Sequence, residues 1–141
     1  SVPSPFNDNS CSTRERDSAV IEAINVGHVE DDYLPLLSNY VLGTVITLNS
    51  LFCEEYPINR EDSKNGVPGV LYGRYSGDTY QGGNPWVLLT TSLARLIYRQ
   101  ATAVAQAGTV SRETYGLLQQ AYGVPAGLAG PALAAALVRG G

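Results

Sequence analysis

"GVLYGRYSGDTYQGGNPWVLLTTSLARLIYR", residues 69–99, passes from a glycine-rich loop into an amphipathic helix. Asn84 is a preferred N-cap residue, and Pro85 fits the first helical position, where no amide hydrogen is needed. This reading places Trp86 in the first turn. Gly108 can end the helix at about Ala107. Apolar side chains recur between these ends at helical spacing, at Leu89, Leu93, Leu96, Ile97 and Val104. The pattern predicts one long helix preceded by a loop.

Similar periodicity predicts four further helices. One runs from about Arg14 to Asn25, and one from Leu37, with Ser38 as its N-cap, to a stop at "YPIN". Two more cover residues 111–122 and about 130–138. The apolar positions of the helix from Leu37 are Tyr40, Val41, Val45, Leu48, Leu51 and Phe52. Those of the helix at residues 111–122 are Tyr115, Leu118 and Tyr122. "INREDSKNGVPG" is predicted as a polar loop, and "VLYGRY" as a short strand or an extended lead. The fold class is therefore all-α, with about five helices.

Composition excludes several classes of partner and cofactor. The 141 residues, 44% of them apolar, predict one globular domain. A net charge of -4 leaves no basic stripe for nucleic acid, and no run of eighteen apolar residues predicts a membrane span. Cys11 and Cys53 fit neither a zinc nor a redox motif, and their disulfide state stays open. His28 cannot build a metal cluster with them, and the acidic run 30–32 is expected to be a solvated helix start with a weak chance of binding a cation. We predict no cofactor and no metal.

The loop of residues 73–86 has the chemistry of a carbohydrate site. Arg74 can make paired hydrogen bonds to adjacent oxygens, and Asp78 can accept hydroxyl hydrogens or hold the arginine. Tyr80 and Trp86 can pack against the apolar face of a sugar, with Tyr75 as a further hydroxyl donor. Gly77, Gly82 and Gly83 would allow tight turns. The alternatives are a local ion pair between Arg74 and Asp78 and a core position for Trp86.

The quoted segment resembles glucoamylases, glycoside hydrolase family 15. Gly-Arg-Tyr, Asp-Thr-Tyr and Gly-Asn-Pro-Trp occur there in this order before a long helix. The likeness extends more loosely through "EEYPINREDSKNGVPG" and "VIEAINVGHVEDDYL", so that residues 20–107 form the recognisable region. Related domains occur in regulatory subunits of phosphorylase kinase. Ser76 and Gly77 stand where fungal members usually have proline and an acidic residue, and Gln81 and Gly82 also depart from the family pattern.

The resemblance implies a partial (α/α)₆ barrel, with the active-site pocket formed by loops at one end. It places sugar binding on Arg74, a supporting role on Asp78, and aromatic contacts on Tyr80 and Trp86. The family releases glucose from the non-reducing ends of α-1,4-glucans with inversion, using one glutamate as acid and one as base. Neither glutamate has a counterpart in this sequence, so no residue is predicted to be catalytic.

Three hypotheses follow from the resemblance. The chain is expected to be an internal fragment, residues 1–141, of a glucoamylase-like catalytic domain, which binds α-glucan or oligosaccharide and joins with other segments of its parent or with copies of itself. The alternatives are a catalytically inactive glycan-binding or structural protein, and a regulatory subunit of a kinase. The resemblance implies a secreted or lysosome-like location. Whether the parent is an active enzyme stays open, with an enzyme favoured.

Overall fold

The computed structural model of the chain describes residues 16–27 and 35–141. Over these ranges the backbone forms six α-helices, one 3₁₀ turn at residues 80–82 and no strand. The helices are α1 (Ala19–Gly27), α2 (Asn39–Glu55), α3 (Pro57–Lys64), α4 (Val87–Ala107), α5 (Arg112–Tyr122) and α6 (Gly130–Gly140). The all-α prediction is confirmed. Cys11, Arg14, His28 and the acidic run 30–32 lie outside the described residues.

Helix α4 is the centre of the packing, because it contacts α1 and, most extensively, α6. Helix α2 packs against α5 and against α3, and α5 also contacts α6. The five apolar positions predicted for α4 are all buried: Leu89, Leu93, Leu96, Ile97 and Val104. Gly108 ends this helix with a positive φ of 75°, and its N–H donates to the Val104 carbonyl. The periodicity of the sequence therefore identified the face of α4 that enters the core.

The helix caps follow the predicted side chains. The Ser38 hydroxyl accepts a hydrogen bond from the Val41 N–H at 3.3 Å, and Ser111 caps α5 in the same way. Four of the six apolar positions predicted for α2 are buried, and Leu51 is half-buried. The prediction that Tyr40 belongs to the apolar face is wrong, because 62% of its surface is exposed. The buried face of α2 therefore includes fewer residues than its apolar pattern predicts.

Three predicted boundaries are wrong. The helix predicted from about Arg14 begins at Ala19, because residues 16–18 are not helical. The chain does leave α2 at Tyr56, but Pro57 begins α3 at once, and this helix runs through Lys64 into the segment predicted as a polar loop. Helix α4 begins at Val87 rather than at Pro85, and its N-cap is Trp86, with extended backbone, rather than Asn84. The later start is explained by a hydrogen bond across the loop, which the Trp86 N–H donates to the Tyr72 carbonyl.

The segment 67–72 is an extended lead and not a strand in the described chain. The buried amide of Asn59, on α3, holds this lead: its Nδ2 donates to the Leu71 carbonyl and its Oδ1 accepts from the Leu71 N–H, both at 2.9 Å. The same Nδ2 donates to the Phe52 carbonyl of α2 at 2.9 Å. One side chain therefore fixes where the lead crosses the helices. Every helix within residues 16–27 and 35–141 is too short or too polar to span a bilayer.

Candidate functional site

The Arg74 loop, residues 73–85, is closed at its base by hydrogen bonds. The Trp86 N–H donates to the Tyr72 carbonyl at 2.8 Å, and the Tyr72 N–H donates to Thr90 Oγ1 of α4 at 3.0 Å. The buried Tyr72 hydroxyl donates to Asn49 Oδ1 of α2 at 2.7 Å. Burial raises the pKa of Tyr72 well above its ordinary value, so this hydroxyl keeps its proton. Both ends of the loop are thereby anchored to the helices.

The first residues of the loop lie tightly between α1 and Tyr56. The Ser18 hydroxyl donates to the Gly73 carbonyl at 2.5 Å, and the Ser18 N–H donates to the Arg74 carbonyl at 2.8 Å. A Cβ placed on Gly73 would lie 1.7 Å from the Tyr56 hydroxyl oxygen. Only glycine fits this approach of backbone to ring. The backbone on either side of Arg74 is therefore fixed before its side chain makes any contact.

Arg74 and Asp78 form a two-pronged ion pair. Arg74 Nε lies 2.8 Å from Asp78 Oδ2, and a terminal nitrogen of the guanidinium lies 2.9 Å from Asp78 Oδ1. The Tyr80 N–H also donates to Oδ1 at 3.0 Å. The bond from Arg74, aided by this N–H, lowers the pKa of Asp78, and the bond to Asp78 raises the pKa of Arg74. Asp78 is buried, whereas 37% of the Arg74 side chain is exposed. The guanidinium is therefore open to solvent while it is bound to a buried carboxylate.

Three aromatic rings surround the Arg74 guanidinium. Its central carbon lies 4.9 Å from the Trp86 ring centroid, 5.1 Å from that of Tyr75 and 5.6 Å from that of Tyr80. These distances are within the range of cation–π attraction. The Tyr80 and Trp86 rings lie 5.5 Å apart and are tilted by 33°. The four residues predicted for the site, Arg74, Asp78, Tyr80 and Trp86, therefore meet in one cluster.

The two open alternatives are both partly realised. Arg74 and Asp78 do form a local ion pair, and half-buried Trp86 does pack against the hydrophobic core. The same Trp86 ring lines a shallow hollow of ≈ 240 Å³, whose other walls are Tyr80, Gln81, Asn84, Pro85 and Val87. This volume is below the roughly 300–1,000 Å³ typical of pockets that enclose a whole small molecule. The hollow is therefore too small to enclose a whole small molecule by itself.

The tip of the loop has an unusual backbone. The three glycines predicted to turn tightly, at positions 77, 82 and 83, all have positive φ. Among the non-glycine residues of the described chain, Gln81 alone has a positive φ, of 54°. Such strain costs about 1–3 kcal/mol and is concentrated at binding sites. The rim of the hollow is thus held in a strained shape.

Two residues that support the loop were missed from the sequence. Glu55, at the end of α2, accepts hydrogen bonds from the Ser76 hydroxyl and the Gly77 N–H. Asn59, from the unpredicted α3, holds the lead into the loop. Both lie in "EEYPINREDSKNGVPG", but the loose family likeness of this segment assigned no role to either residue, and both act over more than ten residues of sequence. Within the described ranges, no group of three or more metal-ligating side chains gathers.

Comparison with known proteins identifies a family whose sequences match this chain. The sequence profile of glycosyl hydrolases family 15 matches residues 6–135. The chain is similar to a glucoamylase of Blastobotrys adeninivorans, with 28% identity over 102 residues, which cover 67% of this chain and 16% of that protein.

Two further relatives agree. Glucoamylase 1 of Rhizopus oryzae is 35% identical over 91 residues, covering 59% of this chain and 14% of the relative. Glucoamylase P of Amorphotheca resinae is 45% identical over 62 residues, covering 42% and 9%. The matched region thus spans about a sixth or less of the length of these relatives. No solved structure gives a significant match.

Proposed function

Because the chain belongs to the glycosyl hydrolases of family 15, we propose that it supplies one substrate-binding wall of a glucoamylase-like pocket. The six helices of the described residues form part of the (α/α)₆ barrel of that family. Arg74 would bind the hydroxyl groups of an α-glucan, with Asp78 holding the guanidinium in place. Tyr80 and Trp86 would face the apolar side of a sugar ring. The reaction would be release of glucose from the non-reducing end with inversion, and the acid and base glutamates would come from other segments.

The observation that carries this proposal is a supported, solvent-facing arginine inside an aromatic cluster. Two of the five guanidinium N–H donors are directed at Asp78. This pairing orients the planar group without removing it from solvent, since over a third of the side chain is exposed. Donors that are oriented in advance lose little conformational freedom when a ligand binds. Neutral sugars, which offer adjacent hydroxyls and an apolar face, match this combination of polar and aromatic groups.

Titration of the chain with maltose tests the proposal. Trp86 is its single tryptophan, so its fluorescence reports directly on the hollow. We expect saturable quenching or enhancement by maltose, and a loss of affinity of roughly tenfold or more in Arg74→Ala, because hydrogen bonds to charged groups are among the stronger ones. Arg95→Ala, an exposed arginine on α4, is the matched control and should bind like the unmodified chain.

Catalysis is tested in an assembly that also contains the acid and base glutamates. There the Arg74→Ala change should reduce the release of glucose from maltose, while Arg95→Ala should not. Equal maltose affinity in the Arg74→Ala and Arg95→Ala chains would contradict the proposed role of Arg74. Maltose that binds neither the chain nor the assembly would contradict the sugar site altogether. Binding without glucose release in the assembly would instead favour a catalytically inactive glycan-binding protein.

A further inference from the structure

Glu55 links the end of α2 to the tip of the turn between Arg74 and Asp78. Its Oε2 accepts from the Ser76 hydroxyl at 2.7 Å, and its Oε1 accepts from the Gly77 N–H at 2.9 Å. The carboxylate therefore uses both oxygens on two adjacent residues of the loop. Hydrogen bonds to an ionised acceptor are shorter and stronger than neutral ones. Glu55 itself is half-buried and forms part of a helix that is fixed in the core.

The turn that Glu55 contacts lies between Arg74 and Asp78 in the chain. The Asp78 N–H donates to the Tyr75 carbonyl at 3.3 Å, which closes a turn with Ser76 and Gly77 at its centre. Gly77 has a φ of 76°, a conformation that glycine adopts at no steric cost. The same freedom leaves glycine with many other conformations when nothing holds it. An external acceptor on the Gly77 N–H removes that freedom from the segment between the two charged residues.

A second observation places the same groups together. The pKa of Tyr56 is raised, first by burial and then by the negative charges of Glu55 and Asp78. The Tyr56 hydroxyl itself lies against Gly73, at the start of the Arg74 loop. The end of α2, the start of the Arg74 loop and the ion pair thus form one compact unit. A shift of the turn would move all three relative to one another.

We propose that Glu55 is a positioning residue, which holds the Ser76–Gly77 turn so that Asp78 keeps the Arg74 guanidinium against Tyr80 and Trp86. Glu55 does not contact the sugar; it acts through the turn. Its effect on binding rests on the proposed sugar-binding role of Arg74, whereas its effect on the geometry of the loop does not. A binding group that is held by a second layer of hydrogen bonds needs less ordering when the ligand arrives.

The geometry is tested without any sugar, through Trp86 fluorescence. Glu55→Ala should shift the Trp86 emission and increase its quenching by acrylamide, because the guanidinium 4.9 Å from the ring loses its fixed position. Glu54→Ala removes the same charge from an exposed neighbour on the same helix and should leave both readouts unchanged. Far-UV circular dichroism should be the same in all three chains.

Two further variants separate positioning from simple loss of folding. Ser76→Ala removes one of the two bonds to Glu55 and should give an intermediate change in quenching. The double variant with Glu55→Ala should be no worse than Glu55→Ala alone, since both changes break the same link. A Trp86 signal that is equal in Glu54→Ala, Ser76→Ala and Glu55→Ala overturns the inference. If Glu55→Ala does not fold, Ser76→Ala decides by the same comparison with Glu54→Ala.

Maltose titration then distinguishes this inference from the proposed function. If both hold, Glu55→Ala lowers maltose affinity by roughly threefold to tenfold, an amount typical of one lost hydrogen bond, and Glu54→Ala does not. If Trp86 responds to Glu55→Ala but the unmodified chain and its assembly bind no maltose, the positioning role stands and the sugar site fails. If maltose binds and depends on Arg74 but not on Glu55, the site stands and Glu55 is not a positioning residue.

Discussion

Replacing Asn59 by alanine should lower the stability of the chain by an amount that follows from its hydrogen bonds. The Asn59 side chain is 3% exposed and makes three bonds of 2.9 Å. The Phe52 carbonyl keeps a partner after the change, because it also accepts from the Tyr56 N–H. The N–H and the carbonyl of Leu71 both lose theirs. An unsatisfied buried polar group costs about 1–3 kcal/mol, and since Leu71 is half-buried, we expect a loss of about 2–4 kcal/mol.

Urea denaturation followed by circular dichroism measures this loss. The unfolding midpoint should fall without a change in the m-value, and the Tm should fall by roughly 10 °C, given about 3–5 °C per kcal/mol for a domain of this size. Asn65→Ala, the same change at the exposed end of α3, is the control and should stay within about 0.5 kcal/mol of the unmodified chain. Asn59→Asp should cost at least as much as Asn59→Ala, because its charge would face two carbonyl oxygens. A loss for Asn59→Ala as small as that for Asn65→Ala would refute the reasoning.

Two further changes test the close approach at Gly73 and the ion pair. Gly73→Ala should lower the free energy of unfolding in urea by about 1–3 kcal/mol, because the new Cβ would clash with the buried Tyr56 ring. The control, Gly116→Ala, lies inside α5 with open space at its Cβ and should be neutral or stabilising by up to about 1 kcal/mol. Equal effects of the two changes would contradict the clash. The pKa of Asp78 is lowered in the folded chain, so its pairing with Arg74 stabilises fully above the ordinary carboxyl value of 3.8 and is lost as the pH falls through the lowered value. Acid titration followed by Trp86 fluorescence should show this loss below about pH 4 in the unmodified chain and not in Asp78→Asn, and identical titrations would count against the pair.

The long helices were predictable because their burial pattern is local. Leu89, Leu93, Leu96 and Ile97 lie within three helical turns, and their spacing alone identifies the core face of α4. Helix α3 was not predictable in this way. It has eight residues and a polar sequence, and its main link to the rest of the chain is the single buried side chain of Asn59. Its stability therefore comes from contacts with distant residues that no local pattern reveals.

The candidate site was predictable in its members but not in its supports. Arg74, Asp78, Tyr80 and Trp86 lie within thirteen residues, and their chemistry and their resemblance to a family pointed to one cluster. The start of α4 was misplaced because Asn84 and Pro85 favour a helix locally, while the bond between the backbones of residues 72 and 86 keeps the chain extended. Such a bond between residues far apart in sequence cannot be inferred from either end alone.

The closed base of the Arg74 loop has a consequence for how such a chain can diverge. The Trp86 N–H and the Tyr72 carbonyl, 2.8 Å apart, fix both ends of the loop on the helices. We therefore expect residues 81–85, at the rim of the hollow, to change in number or kind without disturbing the helix packing. Doubling the length of a flexible loop costs only about 0.6 kcal/mol of closure entropy. Substitutions at this rim are therefore expected to change the ligand preference while the packed helices keep their stability.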